Sequence, residues 1–194
     1  MLEFCFIGAA MKPGAYDAQG RRKYLNKNEN RKFLKEADSL CPAESSFCLT
    51  LYYSGCRISE ALSLTVNDID WETHVIRFRS LKKRDKVVIR RVPIPASLSK
   101  KLKSLEPGTD DLRLWQFSRS TGWRIVKSVM KKAQITGIHA TAKGLRHGFG
   151  VRGAMERIPV HLLRDWMGHA DISTTAIYLD IRDEEERELI KRTW

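Results

Sequence analysis

Four side chains that lie far apart in the sequence are of the types needed to cleave a phosphodiester bond without a metal. Arg57 and Arg146 each carry a guanidinium, whose paired and permanently charged donors match the oxygens of a phosphate. His169 supplies an imidazole donor, and Tyr178 supplies a hydroxyl that attacks once a neighbouring base takes its proton. This set predicts transfer of a phosphoryl group to Tyr178, which conserves the energy of the broken bond in a phosphotyrosyl linkage.

The departing sugar oxygen needs a proton, and a lysine-rich segment could supply it. Two stretches rich in β-branched residues, 75–81 and 87–92, flank five polar residues, which predicts a β-hairpin with a basic tip. Lys82 is the expected general acid, with Lys83 and Lys86 as competitors. An ordinary solvated turn is the alternative to a DNA contact at this tip. The cations expected to bind DNA are Lys83, Arg84 and Lys86.

The charge distribution fits a polyanionic partner. The chain has 194 residues and a formal net charge of +12. Residues 77–103 hold eleven Lys or Arg against one acid, and residues 113–132 hold six against none. Such a surface suits double-stranded DNA, although charge alone leaves RNA, anionic lipid or a merely solvated face open.

The cysteines and the N-terminus indicate a reduced, cytoplasmic protein. The four cysteines, at positions 5, 41, 48 and 56, form no Cys-x-x-Cys pair and have no zinc-ligand spacing, so we expect no metal and no cofactor. The apolar start, residues 2–10, is too short to span a bilayer and lacks a basic leader, so no membrane anchor is expected.

The length and hydrophobic content predict one compact domain of the α+β class, mostly α-helical with a small antiparallel β-sheet or hairpin. Residues 1–22 contain breakers and no sustained periodicity, which predicts a flexible tail or linker remnant. Apolar spacing and caps predict the following helices: 27–40 behind Asn26, 44–54 ending at Gly55, 59–64, 97–105, 122–133, 142–153 behind Thr141, 160–167 between Pro159 and Gly168, one capped by Ser173 that carries Tyr178, and a last one from the acidic run 183–186 to Trp194.

Three ordered boxes carry a resemblance to a known family. They are 54–62 (Ser-Gly-Cys-Arg-Ile-Ser-Glu-Ala-Leu), 144–149 (Gly-Leu-Arg-His-Gly-Phe) and 167–178 (Met-Gly-His-Ala-Asp-Ile-Ser-Thr-Thr-Ala-Ile-Tyr). In these residues and their spacing, the chain resembles the catalytic domain of the tyrosine recombinases, the phage-integrase family of site-specific DNA recombinases. The resemblance covers residues 24–194 and implies that 23–194 form that domain.

By this resemblance, the reaction uses neither metal nor nucleotide. Arg57 and Arg146 would bind the scissile phosphate, and His169 would donate a hydrogen bond to it. Tyr178 would form a 3′-phosphotyrosyl intermediate, and Lys82 would protonate the 5′-hydroxyl that leaves.

The resemblance also bears on an acidic residue of the first box and on two departures from the family pattern. Glu60 would orient neighbouring groups of the site. Lys143 stands where the family usually has the histidine assigned as the base for the tyrosine; Lys143 could donate to the phosphate or, if desolvated beside the arginines, accept a proton. Many relatives also carry a separate N-terminal DNA-binding domain, which we expect to be absent here, so that DNA binding is weakened.

Other interpretations stay open at several positions. The chain could be a DNA-binding or architectural module that depends on a fuller partner, or a nicking-closing enzyme of the topoisomerase type. Residues 184–194 could mediate self-association on DNA or fold back onto their own domain. His147 is interpreted as a structural residue, and three tryptophans are assigned to the core: Trp115, Trp123 and Trp166.

Overall fold

The computed structural model describes residues 14–82, 86–105, 113–178 and 190–193, apart from the side chains of 80–82, 86, 87 and 192. Over these ranges the chain is mostly helical with one small antiparallel sheet, so the predicted α+β class is confirmed. The α-helices are α1 (Lys27–Asp38), α2 (Pro42–Ser54), α3 (Ile58–Ala61), α4 (Ala96–Lys103), α5 (Arg119–Lys132), α6 (Ala142–Met155), α7 (Val160–Met167) and α8 (Ser173–Ala176).

Local capping chemistry explains where several helices begin and end. The Asn26 side chain accepts from the backbone of Glu29, whose carboxylate accepts in return from the Asn26 backbone, which makes a capping box for α1. The Thr141 side chain accepts from a backbone N–H in the first turn of α6, and Gly168 ends α7 in a left-handed conformation. These boundaries agree with the predicted ones.

The sheet contains three strands in the order β1 (Ile69–Asp70), β2 (Val75–Lys82) and β3 (Lys86–Pro93). The pairing of β2 with β3 runs from Val75 opposite Pro93 to Lys82 opposite Lys86, which confirms the predicted hairpin. The two-residue strand β1 was not predicted, because so short a segment shows no alternation of apolar and polar residues.

Two apolar clusters form the interior. The larger one surrounds α2, a helix that is buried on nearly all sides and whose Thr50 and Ser54 hydroxyls donate to carbonyls one turn earlier. Trp115 is buried there, as predicted, and Trp166 packs at its edge. The assignment of Trp123 to the core is wrong, because this side chain is 52% exposed on α5.

The smaller cluster, called the tyrosine cluster below, joins the start of the described chain to helices α6 and α7. Its buried members are Ala15, Tyr24, Val151, Leu163, Met167 and Tyr178. Part of the segment predicted as a tail therefore lies against the domain: Ala15 is 1% exposed, and Tyr16 pairs with Arg22 through a β-bridge. The division of the chain at residue 22 stays a prediction.

The structure corrects the prediction for the last box. Helix α8 ends at Ala176, and Ile172 rather than Ser173 occupies its N-cap position. Tyr178 therefore lies in a turn after α8, where its backbone N–H donates to the Thr175 carbonyl at 3.0 Å. Of the predicted final helix, only 190–193 fall in the described residues, with a short 3₁₀ turn at Lys191–Thr193. None of the described helices is long and apolar enough to cross a membrane.

Candidate active site

The Arg146 side chain holds the three sequence boxes together. It projects from α6, and its Nη1 donates to the Gly55 carbonyl at 2.8 Å while its Nη2 donates to the Met167 carbonyl at 2.5 Å. Gly55 precedes Arg57 by two residues, and Met167 precedes His169 by two residues. One guanidinium therefore fixes the backbone beside two of the other predicted site residues.

Gly55 is required by the geometry at this junction. It ends α2 in the left-handed region, with φ of 59°. A Cβ atom built on it would lie 2.6 Å from the ring of Phe149, so no larger residue fits without a shift of the ring. This tight turn presents the Gly55 carbonyl to Arg146 and starts the chain toward Arg57.

Arg57 lies at the N-cap of α3 and is joined to Glu60. Its backbone N–H donates to Glu60 Oε2 at 2.7 Å, and its Nη1 donates to Oε1 at 2.9 Å. About half of the Arg57 side chain, 51%, remains exposed to solvent. The guanidinium is thus oriented by an acid and still accessible to an anion from outside.

Arg90 is a further member of the site that sequence reasoning missed. It lies on β3, is 6% exposed, and donates to both oxygens of Glu60 at 2.8 and 2.7 Å. Its Nε donates to the Trp166 carbonyl at 2.9 Å, and its guanidinium lies 4.6 Å from the centre of the Phe78 ring. Arg90 thereby connects the sheet to the first box and to α7.

Glu60 is the common partner in what we call the ion-pair cluster, Arg57, Glu60 and Arg90. Burial alone would raise the pKa of this carboxyl, but the hydrogen bonds and charge of Arg90, aided by Arg57, hold it at about 2. Glu60 is therefore ionised at neutral pH, in agreement with the predicted role of orienting its neighbours. Glu60 follows Arg57 by three residues, so their pairing could be expected from the sequence. The pairing of Glu60 with Arg90 spans 30 residues and could not.

Tyr178 is buried, with 2% of its surface exposed. Its ring lies over α6 at Gly150, where a Cβ atom would approach the ring to 2.5 Å. Burial raises the pKa of the phenol to about 12, against the opposing effect of the Arg146 charge. The hydroxyl is thus neutral in the folded protein.

His147 contacts the Tyr178 hydroxyl directly. The distance from its Nδ1 to the phenolic oxygen is 3.0 Å, and the ring centres are 5.8 Å apart. Burial, together with the positive charges of Lys143, Lys23 and Arg146, lowers the pKa of His147 to about 4. The interpretation of His147 as merely structural omits this contact; its position one residue after Arg146 was the only signal in the sequence.

His169 lies on the other side of the tyrosine. Its ring stacks on that of Tyr178 with 6.4 Å between centres, and its Nδ1 is 2.9 Å from the Thr175 hydroxyl. Burial and then the charges of Arg146 and Arg57 lower the pKa of His169 to about 4. The stacking of His169 on Tyr178, and the hydrogen bonds of Arg146 to the carbonyls beside Arg57 and His169, bring the four predicted groups together.

Lys143 is exposed on α6, one turn before His147. Its role as a base for Tyr178 stays a prediction. Its charge is still available to an anion from solvent.

The predicted hairpin residues cannot be placed in this site. Lys83 and Arg84 lie outside the described residues, and only the backbone of Lys82 and Lys86 is described, at the paired ends of β2 and β3. Their roles stay predictions. Among the described residues, no group of three or more His, Cys, Asp or Glu side chains could hold a metal ion.

The arrangement presents two guanidiniums, a neutral imidazole and a phenol within hydrogen-bond distance of a second imidazole. Such a set can bind a phosphate diester and deliver a hydroxyl to its phosphorus. Glu60, the acid that contacts Arg57, is saturated by Arg57 and Arg90. A bound anion would therefore meet a net positive site.

Comparison with known proteins identifies the class to which this fold and site belong. The phage integrase family matches residues 23–185, and the chain is a member of that family. The predicted resemblance to the tyrosine recombinases is thereby confirmed.

Individual relatives carry the name tyrosine recombinase. The chain is 31% identical to tyrosine recombinase XerA of Thermococcus onnurineus over 177 residues, which cover 85% of this chain and 60% of the relative. It is 28% identical to XerA of Pyrococcus horikoshii, covering 88% of this chain and 61% of the relative, and 27% identical to XerD of Listeria monocytogenes serotype 4b, covering 90% and 63%. The chain thus spans about three fifths of the length of these curated relatives.

Solved structures share the fold. The crystal structure of XerA recombinase superposes with a TM-score of 0.74 at 27% identity, covering 88% of this chain and 64% of that one. The catalytic domain of bacteriophage HP1 integrase superposes with a TM-score of 0.62 at 22% identity, and the match covers 87% of this chain and 93% of that domain. XerH bound to its difH substrate gives a TM-score of 0.70 at 22% identity, covering 91% and 59%.

Proposed function

We propose that this protein is a site-specific DNA recombinase or integrase that breaks and rejoins strands through a 3′-phosphotyrosyl bond at Tyr178. The observation that carries the proposal is the position of Arg146, whose guanidinium is fixed between the carbonyls that precede Arg57 and His169 and acts on the Tyr178 hydroxyl. A relative of the same fold, XerH, is described as bound to its difH substrate, which supports DNA as the partner.

The two arginines bind the scissile phosphate and stabilise the charge that develops on its non-bridging oxygens. Arg146 uses two of its donors on backbone carbonyls, which fixes its plane and leaves its other N–H groups for the phosphate. Arg57, half exposed and oriented by Glu60, approaches from the side of the first box. Because both guanidiniums are pre-oriented, little rearrangement is needed when the anion arrives.

His169 donates the third hydrogen bond to the phosphate. When the Thr175 hydroxyl donates to Nδ1, the proton of the neutral ring lies on Nε2, the nitrogen available to the anion. Thr175 is fully buried, so this partner holds the imidazole in one orientation.

Tyr178 attacks the phosphorus after DNA has displaced part of the chain that covers it, since the side chain is 2% exposed in the free protein. Lys82 protonates the 5′-oxygen that leaves, with Lys83 and Lys86 as competing donors. Lys83, Arg84, Lys86 and the exposed Lys143 contribute charge toward the DNA backbone.

The remaining expectations follow from a DNA substrate. The protein would act in the cytoplasm, at the nucleoid or on a plasmid, and would self-associate on DNA, with residues 184–194 as the contact. The catalytic domain is assigned to 23–194.

A covalent adduct tests the function even though the target sequence is not specified in advance. The protein is incubated with a pool of nicked suicide duplexes whose arms are randomised, and DNA that partitions with protein into phenol is amplified and sequenced. We expect an enriched sequence with the wild type and none with Tyr178→Phe. Tyr53→Phe removes a partly buried hydroxyl outside the site and is the matched control.

The selected duplex separates the alternatives. Exchange of strands between two such duplexes supports recombination, and an adduct that only relaxes supercoils indicates a nicking-closing enzyme. Binding in a mobility-shift assay with no adduct at all indicates a DNA-binding module and contradicts the proposal.

A further inference from the structure

We propose that His147 is the base that takes the phenolic proton from Tyr178, a role that rests on the proposed function of strand cleavage. The family position for this base holds Lys143, which is exposed on α6. His147 lies four residues later on the same helix and already contacts the hydroxyl.

The geometry meets the requirement for direct proton transfer. The 3.0 Å between His147 Nδ1 and the Tyr178 oxygen lies within the reach of a general base. Gly150, three residues after His147, has no Cβ and so lets the tyrosine ring lie against this face of α6. A packed helix and a glycine gap therefore fix the base and the nucleophile relative to each other.

The charge state also suits a proton acceptor. Because its pKa is lowered to about 4, His147 is neutral at neutral pH. With its single proton on Nε2, the ring presents the Nδ1 lone pair to the phenol. Nε2 is buried and has no hydrogen-bond partner among the described residues, so the protonated ring is poorly stabilised and returns its proton readily.

The other imidazole of the site is less suited to this step. His169 directs Nδ1 to Thr175 and stacks its ring face on Tyr178. Within the described part of the chain, no hydrogen bond joins His169 to the phenol. The two histidines therefore have different roles: His169 donates a hydrogen bond to the phosphate, and His147 accepts the proton of the nucleophile.

Cleavage forms a bond between the Tyr178 oxygen and phosphorus while the bond from phosphorus to O5′ breaks. The phenolic proton moves to His147 Nδ1, and O5′ receives a proton from the lysine acid, Lys82 in the proposed function. In rejoining, O5′ attacks phosphorus and gives its proton back to the lysine, the phosphotyrosyl bond breaks, and His147 returns its proton to the phenolate. Atoms and charges therefore balance without any further reactant.

The tautomer of His147 gives a test that needs no DNA. ¹⁵N NMR of histidine-labelled protein, assigned by comparison with His147→Asn, should show the proton on Nε2 at pH 7. A proton on Nδ1 would mean that His147 donates to the phenol and cannot accept from it, and this result would overturn the proposal. Charged and titratable groups that act on or contact the ring are Lys23, Lys143, Arg146, His169 and Tyr178.

Cleavage rates give the second test, on the duplex selected from the randomised pool. His147→Asn keeps an acceptor near the phenol but no basic nitrogen, and we expect its rate of adduct formation to fall on the order of 100-fold with DNA affinity unchanged. Adding imidazole to His147→Ala should restore part of the rate in proportion to its free-base form. His161→Asn, an exposed change on α7, is the matched control and should behave as the wild type.

Failure of the proposed base and failure of the proposed function give different experimental results. A wild-type protein that forms no adduct contradicts the proposed function, whatever the tautomer. A wild-type adduct with undiminished rates in both His147 variants leaves the function intact and removes His147 as the base.

Discussion

The two halves of the site are held by different forces. The ion-pair cluster fixes Arg57 through Glu60 and Arg90, by hydrogen bonds of 2.7 to 2.9 Å to a charged carboxylate. The tyrosine cluster fixes the Tyr178 side chain by apolar contact and by a hydrogen bond to His147. A phosphate site must be rigid before the anion arrives. A nucleophile that is buried in the free protein must instead become accessible when DNA displaces the chain that covers it.

The largest loss of stability is expected when the carboxylate of the ion-pair cluster is removed and its arginines stay. Glu60→Ala leaves Arg90 buried without its carboxylate, and we expect the free energy of unfolding to fall by about 3–5 kcal/mol. Chemical denaturation measures it. Asp165→Asn, in an exposed pair with Arg164, is the control and should change little.

The double variant Glu60→Gln with Arg90→Met sharpens this result. If the loss comes from an uncompensated charge, the double variant should be more stable than Glu60→Ala. If the double variant and Glu60→Ala are equally unstable, packing around Arg90 rather than its charge stabilises the first box.

His147 and the ion-pair cluster should also respond to acid in different pH ranges. His147 has its pKa lowered from 6.5 to about 4 by burial and nearby charge, so the unfolded chain binds a proton between these values that the folded protein does not. The free energy of unfolding should therefore be unaffected by this group above pH 6.5 and should fall as the pH drops toward 4. For a group mostly withdrawn from water this amounts to a loss on the order of 2–3 kcal/mol.

Glu60 contributes in a lower range. Its pKa is lowered from 4.5 to about 2, so its contribution is present above pH 4.5 and is lost as the pH falls toward 2. The free energy of unfolding, measured from pH 8 to 3, should have a smaller slope between 6.5 and 4 in His147→Asn, where the similarly shifted His169 still contributes, and should keep the full slope in Glu60→Gln. The same slope in both variants would contradict these separate pH ranges.

A smaller effect is expected when the gap beneath the nucleophile is filled. Gly150→Ala places a methyl group against the Tyr178 ring, and we expect a loss of about 1–3 kcal/mol together with a more exposed tyrosine whose pKa falls from about 12. ¹³C NMR of the Tyr178 Cζ follows the titration. Gly148→Ala is the matched control on α6, since its new Cβ would lie no closer than 3.3 Å to its nearest neighbour, Arg152 Nη1.

The smallest effect concerns Lys143. Lys143→Ala removes an exposed positive charge that lowers the pKa of His147, so that this pKa should rise slightly toward its ordinary value. NMR titration of His147 measures the shift, and Lys132→Ala, at the end of α5, serves as the control. A large fall in cleavage rate in Lys143→Ala, with His147 unchanged, would return the base role to Lys143.

Much of the fold could be predicted because its signals are local. The Asn26 and Thr141 caps, the left-handed ends at Gly55 and Gly168, and the β2–β3 hairpin each depend on a few neighbouring residues. A side chain that caps a backbone three residues away does so in nearly any tertiary setting. The types and spacing of the residues in the three boxes likewise pointed to a single site built from Arg57, Arg146, His169 and Tyr178.

The sequence by itself thus determined which residues could do the chemistry and which short elements carry them. Only the tertiary structure decided how they meet: Arg90 on Glu60 across 30 residues, Arg146 on Gly55 across 91, and His147 on Tyr178 across 31. It also decided that Tyr178 lies in a turn and is buried, and that Trp123 is exposed. The physical reason is that such contacts depend on how whole helices pack. The apolar periodicity of one helix shows which of its faces is buried, but not which residues of another helix that face contacts.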